Sequence, residues 1–484
     1  MRSPLFPARY GLVSLLCYVI LGCTATTTQL PGNAPISVID EQGGYRRLDA
    51  TSWDSIGDTM IILSFSGGGT RAAALSYGVM QELRDTIISP GEKATRALDE
   101  VDTISSVSGG SFTAAYYGAF RERLFEDYEE AFLRKGVQSD LIGRLMNPIN
   151  WIRNLAPGVD RTDMAIDYYD QTLFRGATFN DIKRHGPPFI EINATDLVTG
   201  LRFSFTQERF DWVCSDLGSF PLARAVTASS AVPGLFPTVV LSNHADQCDL
   251  SESKEWQLMQ AVQASAGGEV QQYTTRGIQS YRDTELRPYI HLVDGGISDN
   301  LGLRAMTDRF EYMSDYLFTR MAGRVPRNFV IIQVNAEVKR DRSIEQSEES
   351  PSLAATMGTL TNTRLNRENQ ETLDKLQEAI DEFSQRAAVD GMPTRVYFSE
   401  VSFDSVRETQ VSRYLNSLPT SLELDEEQVD RLIAAGRLLL RHEPSFKQFK
   451  KDNDGHLTDG AISSYEMCRM FSYDHCPGQL TDGY

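Results

Sequence analysis

Three short runs, far apart in the chain, carry residue types that together can perform acyl transfer. Gly67-Gly68-Gly69-Thr70-Arg71 follows an apolar stretch at 60–65. Ser106-Val107-Ser108-Gly109-Gly110 closes a second apolar stretch that begins at 101. Asp294-Gly295-Gly296 follows a third, at 289–293. In turn they read as an anion-binding loop, a nucleophile elbow and a carboxylate base. Each alone is weak. In this order, each behind a strand-like segment, they point to a serine acyl hydrolase.

An acyl hydrolase must stabilise the negative charge that develops on the former carbonyl oxygen. Backbone N–H groups at a strand end and helix start meet that charge without reorganising. Glycines allow the backbone angles and close approach this requires, which suits Gly67, Gly68 and Gly69. Arg71 can anchor the loop or add positive field. No Lys-Ser/Thr pair follows, so a nucleotide phosphate loop fits poorly. The nucleophile needs small residues two before and two after it, the pattern G-x-S-x-G. Ser108 has Gly110 after it but Ser106 before it, a partial match. Ser111 is the rival, with Gly109 before it but Thr113 after, and it also suits a helix N-cap. The Gly109 amide would point into the oxyanion hole. For a base, histidine is usual, yet none of the six histidines has a motif around it. His291 falls on the opposite strand face from Asp294 by alternation. A carboxylate in a partly desolvated pocket has a raised pKa and can serve instead. Asp294 suits this role, with Asp299 and Asn300 placed to brace its loop. A histidine-based triad remains the alternative.

The three runs resemble the signature motifs of the patatin-like phospholipase family, in family order. Thr227-Ala228-Ser229-Ser230-Ala231-Val232-Pro233-Gly234-Leu235-Phe236-Pro237 resembles its Ala-Ser-rich block, and Asn193-Ala194-Thr195-Asp196 a further run. The resemblance spans about residues 58–340. It implies a three-layer α/β/α fold and a Ser-Asp dyad without histidine. It implies hydrolysis of fatty-acyl esters, often phospholipids or lysophospholipids, with no metal and no cofactor. Carried over by motif, Ser108 is the nucleophile and Asp294 the base. Gly67, Gly68, Gly69 and Gly109 form the oxyanion hole, and Arg71 supports the loop. Two positions depart from the pattern: Ser106 replaces the first elbow glycine, and Ala72 stands where glycine often follows the basic residue. The expectation is a phospholipase A or lysophospholipase. The alternatives are a general carboxylesterase, or a lipid-binding envelope scaffold without turnover.

The elements that must position these groups alternate. Strand-like runs at 60–65, 101–107, 189–193, 202–205, 289–293 and 328–334 are separated by helix-like runs such as 70–84 and 112–132, which predicts a mostly parallel sheet between helix layers. Polar, Gln-rich sequence at 251–287 reads as an insertion. From 341 to 484 the pattern is mainly helical, with a possible strand at 395–398, and carries no catalytic motif. An apolar run at 141–155, broken by Pro148, is a candidate acyl pocket or lipid-interface segment.

The chain has 484 residues and a formal net charge of −19, which excludes nucleic acid and basic-patch adhesion to anionic lipid. A basic start with a short apolar stretch ends in Ile20-Leu21-Gly22-Cys23, which resembles a bacterial lipobox. Residues 1–22 then form a signal peptide, Cys23 carries the lipid anchor, and polar residues 23–57 form a tether to the domain at 58–340. That places the protein in the cell envelope, on a membrane, with Thr24 leaning to the bacterial outer membrane. Four cysteines remain, and the local pairs Cys214–Cys248 and Cys468–Cys476 are the simplest of three pairings in an oxidising compartment.

Overall fold

The computed structural model describes residues 32–46, 57–91, 93–146, 161–233, 237–253, 255–257, 260, 269–308, 326–338, 348, 353–389, 391, 394–406 and 409–471. The expected signal peptide and Cys23 lie outside them. Among the described residues, no helix is long and apolar enough to cross a membrane.

The central sheet has eight strands: β1 (Thr59–Phe65), β2 (Val101–Val107), β3 (Phe189–Asp196), β4 (Arg202–Ser204), β5 (Val239–Ser242), β6 (Tyr289–Asp294), β7 (Asn328–Asn335) and β8 (Arg395–Ser402). Their spatial order is β8-β7-β1-β2-β3-β6-β5, with β4 on β3. The pairs from β8 to β3 are parallel, and β6 runs antiparallel between β3 and β5. Helices α1 (Thr70–Asp85), α2 (Gly109–Phe120), α3 (Val137–Met146), α4 (Leu222–Ser229), α5 (Glu269–Gln279), α6 (Leu353–Val389) and α7 (Glu426–His442) matter below.

Strand alternation builds the layers. On β1, Ile61, Leu63 and Phe65 share a core with Ala73, Leu75 and Phe112 of α1 and α2. Met60 and Ile62 point the other way, into a second core with Leu301, Leu303, Leu376 and Ile380. A strand buried on both faces reads as an unbroken apolar run, as residues 60–63 do. The expected α/β architecture with a mostly parallel sheet and a helical C-terminal extension is therefore present.

Three features go beyond the sequence reading. Residues 33–46, inside the expected tether, are packed onto the domain. Ala34 and Pro35 pair with Asp216 and Ser215. Tyr45 is buried, stacks on Phe189, and its hydroxyl accepts from Ile190 N at 2.6 Å. Arg46 forms a buried ion pair with Asp211 at 2.7 Å. The polar composition hid these few anchoring side chains. Second, the 251–287 segment lies within the connection between antiparallel neighbours β5 and β6 and includes α5. Arg287 and Tyr281 tie it to Asp196 Oδ2, at 2.7 and 2.8 Å. Third, the C-terminal region is part of the same body. It adds β8 to the sheet, and α7 lies along α1.

That helix pair approaches closely because each side offers a glycine. A Cβ on Gly78 would collide with Ile433 O, and one on Gly436 with Leu75 O. Buried carboxylates on α1 meet arginines on α7: Arg441 grips Glu82 with both forks at 2.7 Å, and Arg437 reaches Asp85 at 2.6 Å. The Cys214–Cys248 disulfide is formed, with Cα atoms 5.6 Å apart. Cys468 is also disulfide-bonded, and its expected partner Cys476 lies outside the described residues.

The crossing predicts a measurable cost. Gly78→Ala gains about 1 kcal/mol of helix propensity, but the backbone collision outweighs it. A net loss of roughly 2 kcal/mol in a urea melt is expected, whereas an unchanged midpoint would mean that α7 shifts freely along α1.

Candidate active site

The three motifs meet where inner strands of the sheet end. Register places Phe65 beside Ser106, and Val107 beside Asn193. β6 arrives from the opposite direction and ends with Asp294 beside Ala194. The last residues of β1, β2 and β6 are thus gathered around β3.

Ser108 occupies the turn between β2 and α2 with φ 49° and ψ −120°. A non-glycine residue in that region is strained, and such strain belongs to nucleophile elbows. Space is tight there. A Cβ on Gly110 would lie 2.7 Å from Phe65 Cβ, and one on Gly109 would run into Gly69 O. Ser106, at the departing position, is fully buried, and its hydroxyl donates to Glu191 O at 3.1 Å. The position therefore tolerates a hydroxymethyl group. Ser111 is not the helix cap. Ser108 holds that position, while Ser111 lies inside α2 with its hydroxyl 2.9 Å from Ser229 Oγ.

Ser108 Oγ donates to Asp294 Oδ2 at 2.8 Å. The other carboxylate oxygen accepts from Gly296 N at 2.8 Å. Burial pushes the Asp294 pKa up to about 6, partly offset by those two hydrogen bonds. Among the described residues no histidine bonds to either group. His291 instead faces Thr238 Oγ1 at 2.9 Å.

Helices α1 and α2 both begin at this point, capped by Gly69 and Ser108. The first N–H groups of a helix lack intrahelical partners and carry its positive end. Among the described residues, the N–H groups of Gly68, Gly69 and Gly109 have no acceptor. Gly67 differs from the expectation. Its N–H donates to Asn300 O at 3.0 Å, so it anchors the loop and is not free to meet an oxyanion. Gly68, at φ 139°, and Gly69, at φ 63°, adopt angles that require glycine.

Arg71 is buried and turned away from solvent. Its Nε donates to Ala336 O at 2.8 Å, and its two terminal nitrogens to Leu418 O at 2.6 Å and Thr420 Oγ1 at 3.0 Å. Burial lowers its pKa to about 10, against the pull of Glu337, so it stays charged at neutral pH.

A model of the patatin-like phospholipase family matches residues 63–307, which is half of the chain. The chain belongs to this family. No curated protein matches it. Among solved structures, human GIVD cytosolic phospholipase A2 is similar at 11% identity and a TM-score of 0.31. The match covers 63% of this chain and 51% of that one, so the chain spans about half its length, and the likeness is too slight to inform the site.

Within the patatin-like site, one residue holds both halves of the Ser108–Asp294 pair. Ser229, at the end of α4, accepts from Ser108 N at 2.8 Å through Oγ and donates to Asn193 O at 2.6 Å. Its carbonyl accepts from Gly295 N at 3.0 Å, and Ala231 O accepts from Asp294 N at 3.0 Å. Asn193 also ties β3 to β2 through Ser105 Oγ at 3.0 Å, and Thr195 Oγ1 donates to Asp294 O at 2.9 Å. The Ala-Ser block pointed toward this segment, but nothing local distinguishes Ser229 from Ser230. The apolar candidate segment is described only at its start, where Leu141 is buried and Ile142 exposed. From 147 to 160 it lies outside the described residues.

Ser229→Ala strands the buried Ser108 N–H, so a stability loss of about 1–3 kcal/mol is expected. Misplacing the nucleophile should also lower kcat roughly 10²-fold with little change in KM. Ester kinetics beside denaturant melts check both, and a raised KM at constant kcat would assign Ser229 to substrate binding instead.

Proposed function

We propose that this protein is a lipid acyl hydrolase of phospholipase A or lysophospholipase type, working through a Ser108–Asp294 dyad. The observation that carries the reading is the 2.8 Å hydrogen bond from Ser108 Oγ to a buried carboxylate oxygen, on a strained elbow beside unpaired amides. Family membership supports the substrate class.

In this reading Ser108 Oγ attacks the ester carbonyl while Asp294 accepts its proton. The charge on the carbonyl oxygen is met by the N–H groups of Gly68, Gly69 and Gly109. Collapse breaks the ester C–O bond, and the leaving alcohol takes the proton from Asp294. A water then gives its proton to Asp294 and attacks the acyl-enzyme, releasing the fatty acid and restoring Ser108. We also propose that Cys23 tethers the enzyme to the outer membrane. The lipobox-like run supports this, as does the Cys214–Cys248 disulfide, which suits an oxidising compartment.

The base acts only when ionised. Because burial raises the Asp294 pKa to about 6, the active form dominates above that pH. Below it, kcat/KM should fall about tenfold per pH unit. An acid limb centred near 4 would mean that the carboxylate is more hydrated during turnover than burial implies.

The decisive assay is fatty-acid release from phospholipid vesicles by the protein lacking residues 1–23. Ser108→Ala and Asp294→Asn should each reduce release by about 10³-fold or more. Short-chain ester turnover without any vesicle activity would favour the carboxylesterase, and no turnover of either substrate the scaffold. For the tether, Cys23→Ser should move the protein from the membrane fraction to the soluble fraction.

A further inference from the structure

The glycine loop is a pair of peptide planes between two fixed points. Gly67 N is fixed by Asn300 O on one side, and Thr70 N by Ser421 O, at 2.8 Å, on the other. Gly68 and Gly69 have no side chains with which to hold themselves, and glycine populates both signs of φ about equally. The direction of their N–H groups therefore depends on the anchors. The second anchor comes from a segment 350 residues downstream in sequence, roughly by count, between helix Thr409–Ser417 and α7.

We propose that Leu418–Ser421 is a positioning strap for the oxyanion loop, a role that rests on the dyad reading above. On the loop side its hydrogen bonds converge on Thr70 and Arg71, the two residues that follow the glycines. Leu418 O and Thr420 Oγ1 accept from the Arg71 guanidinium, and Ser421 O accepts from Thr70 N. Ser421 O also lies so close over Gly69 that a Cβ there would collide with it. The strap thus limits the loop sterically as well as by hydrogen bonds. The guanidinium fork completes the arrangement by reaching Ala336 O, just beyond β7, so that sheet, loop and strap share one buried cation.

The strap is held from its far side by the first turn of α3. Gln138 Oε1 accepts from Ser421 Oγ at 3.0 Å. Glu423 Oε2 accepts from Ser139 N and Ser139 Oγ, at 2.9 and 2.6 Å. Loop geometry is therefore tied to the strap, to α3 through it, and to the end of β7. A donor aimed at an oxyanion typically contributes 10²–10³-fold to kcat, so a partial loss of aim is detectable.

The test uses the soluble protein lacking residues 1–23, a short-chain activated ester, and Ser108→Ala as the control. Thr420 is solvent-exposed, so its substitution spares the core. Thr420→Val removes the hydroxyl at near-constant shape, and is expected to lower kcat about tenfold with KM and melting temperature unchanged. Thr420→Ser should restore kcat, because it keeps the acceptor. Gln138→Ala, which frees the strap on its far side, should lower kcat in the same way without touching the loop. Unchanged kcat in both Thr420→Val and Gln138→Ala, with Ser108→Ala inactive, would overturn the strap alone. A kcat loss that followed a falling melting temperature and was not restored by Thr420→Ser would overturn it too. Turnover surviving in Ser108→Ala would overturn the dyad reading and the strap together.

Discussion

A serine paired directly with a carboxylate leaves no imidazole to span an imperfect gap. The two side chains must come within one hydrogen bond, and both are short. Ser108 follows the end of β2 and Asp294 ends β6, strands that are not neighbours, because β3 lies between them. Their 2.8 Å contact therefore fixes the level at which three strands end and the backbone angles of the elbow. The hydrogen bonds of Ser229, Asn193 and Thr195 all act at this point. They join the elbow to β3, β3 to the end of β6, and the end of β6 back to α4, closing a ring of main-chain contacts around the pair.

The same geometry sets the electrostatics. Among the described residues no cation contributes to the state of Asp294. Its pKa reflects desolvation, opposed only by Gly296 N and Ser108 Oγ. Asp299, also buried and also pushed up to about 6, differs in having Arg202 and Arg304 to oppose its burial. In both carboxylates burial is the largest cause, and it outweighs what opposes it. The positive ends in the site are the starts of α1 and α2, at Gly69 and Ser108. Arg71, the one cation within the motifs, is committed to carbonyl and hydroxyl oxygens of the scaffold.

The sequence carried the site wherever the chemistry is local. A strand followed at once by glycines, or by a small-residue elbow, stands out in contiguous residues, so the runs around Ser108, Asp294 and the glycine loop, which the fold brings together, could be picked out directly. The layers were legible for a related reason, since strands buried on both faces show as unbroken apolar runs. What could not be read depends on partners far away in the chain. Gly67 looks like its neighbours until Asn300 O takes its N–H. Residues 33–46 have the composition of a linker, and distant partners make them part of the body: Ala34 and Pro35 pair with Asp216 and Ser215, and Tyr45 and Arg46 find Phe189 and Asp211. Ser229 and Ser230 are equivalent in sequence and separated only by where α4 ends.

The C-terminal region is the largest case of this kind, and it changes how the enzyme is divided. The family match ends at residue 307, and Ser108, Asp294 and the glycine loop lie inside it. Yet the three acceptors of Arg71 are Ala336, Leu418 and Thr420, and the acceptor for Thr70 N is Ser421. A chain cut at the family boundary would lose every one of these acceptors and leave the loop after the glycines without its anchor. It would also uncover the face of α1 that Gly78, Glu82 and Asp85 present to α7. The candidate site and the contacts that brace its loop thus occupy different parts of the sequence, joined by β8 in the sheet and by the close approach of α7 to α1 at two glycines. The close helix crossing and the geometry of the glycine loop are linked by the four residues, 422–425, between Ser421 and the start of α7, few enough that neither can shift far without the other.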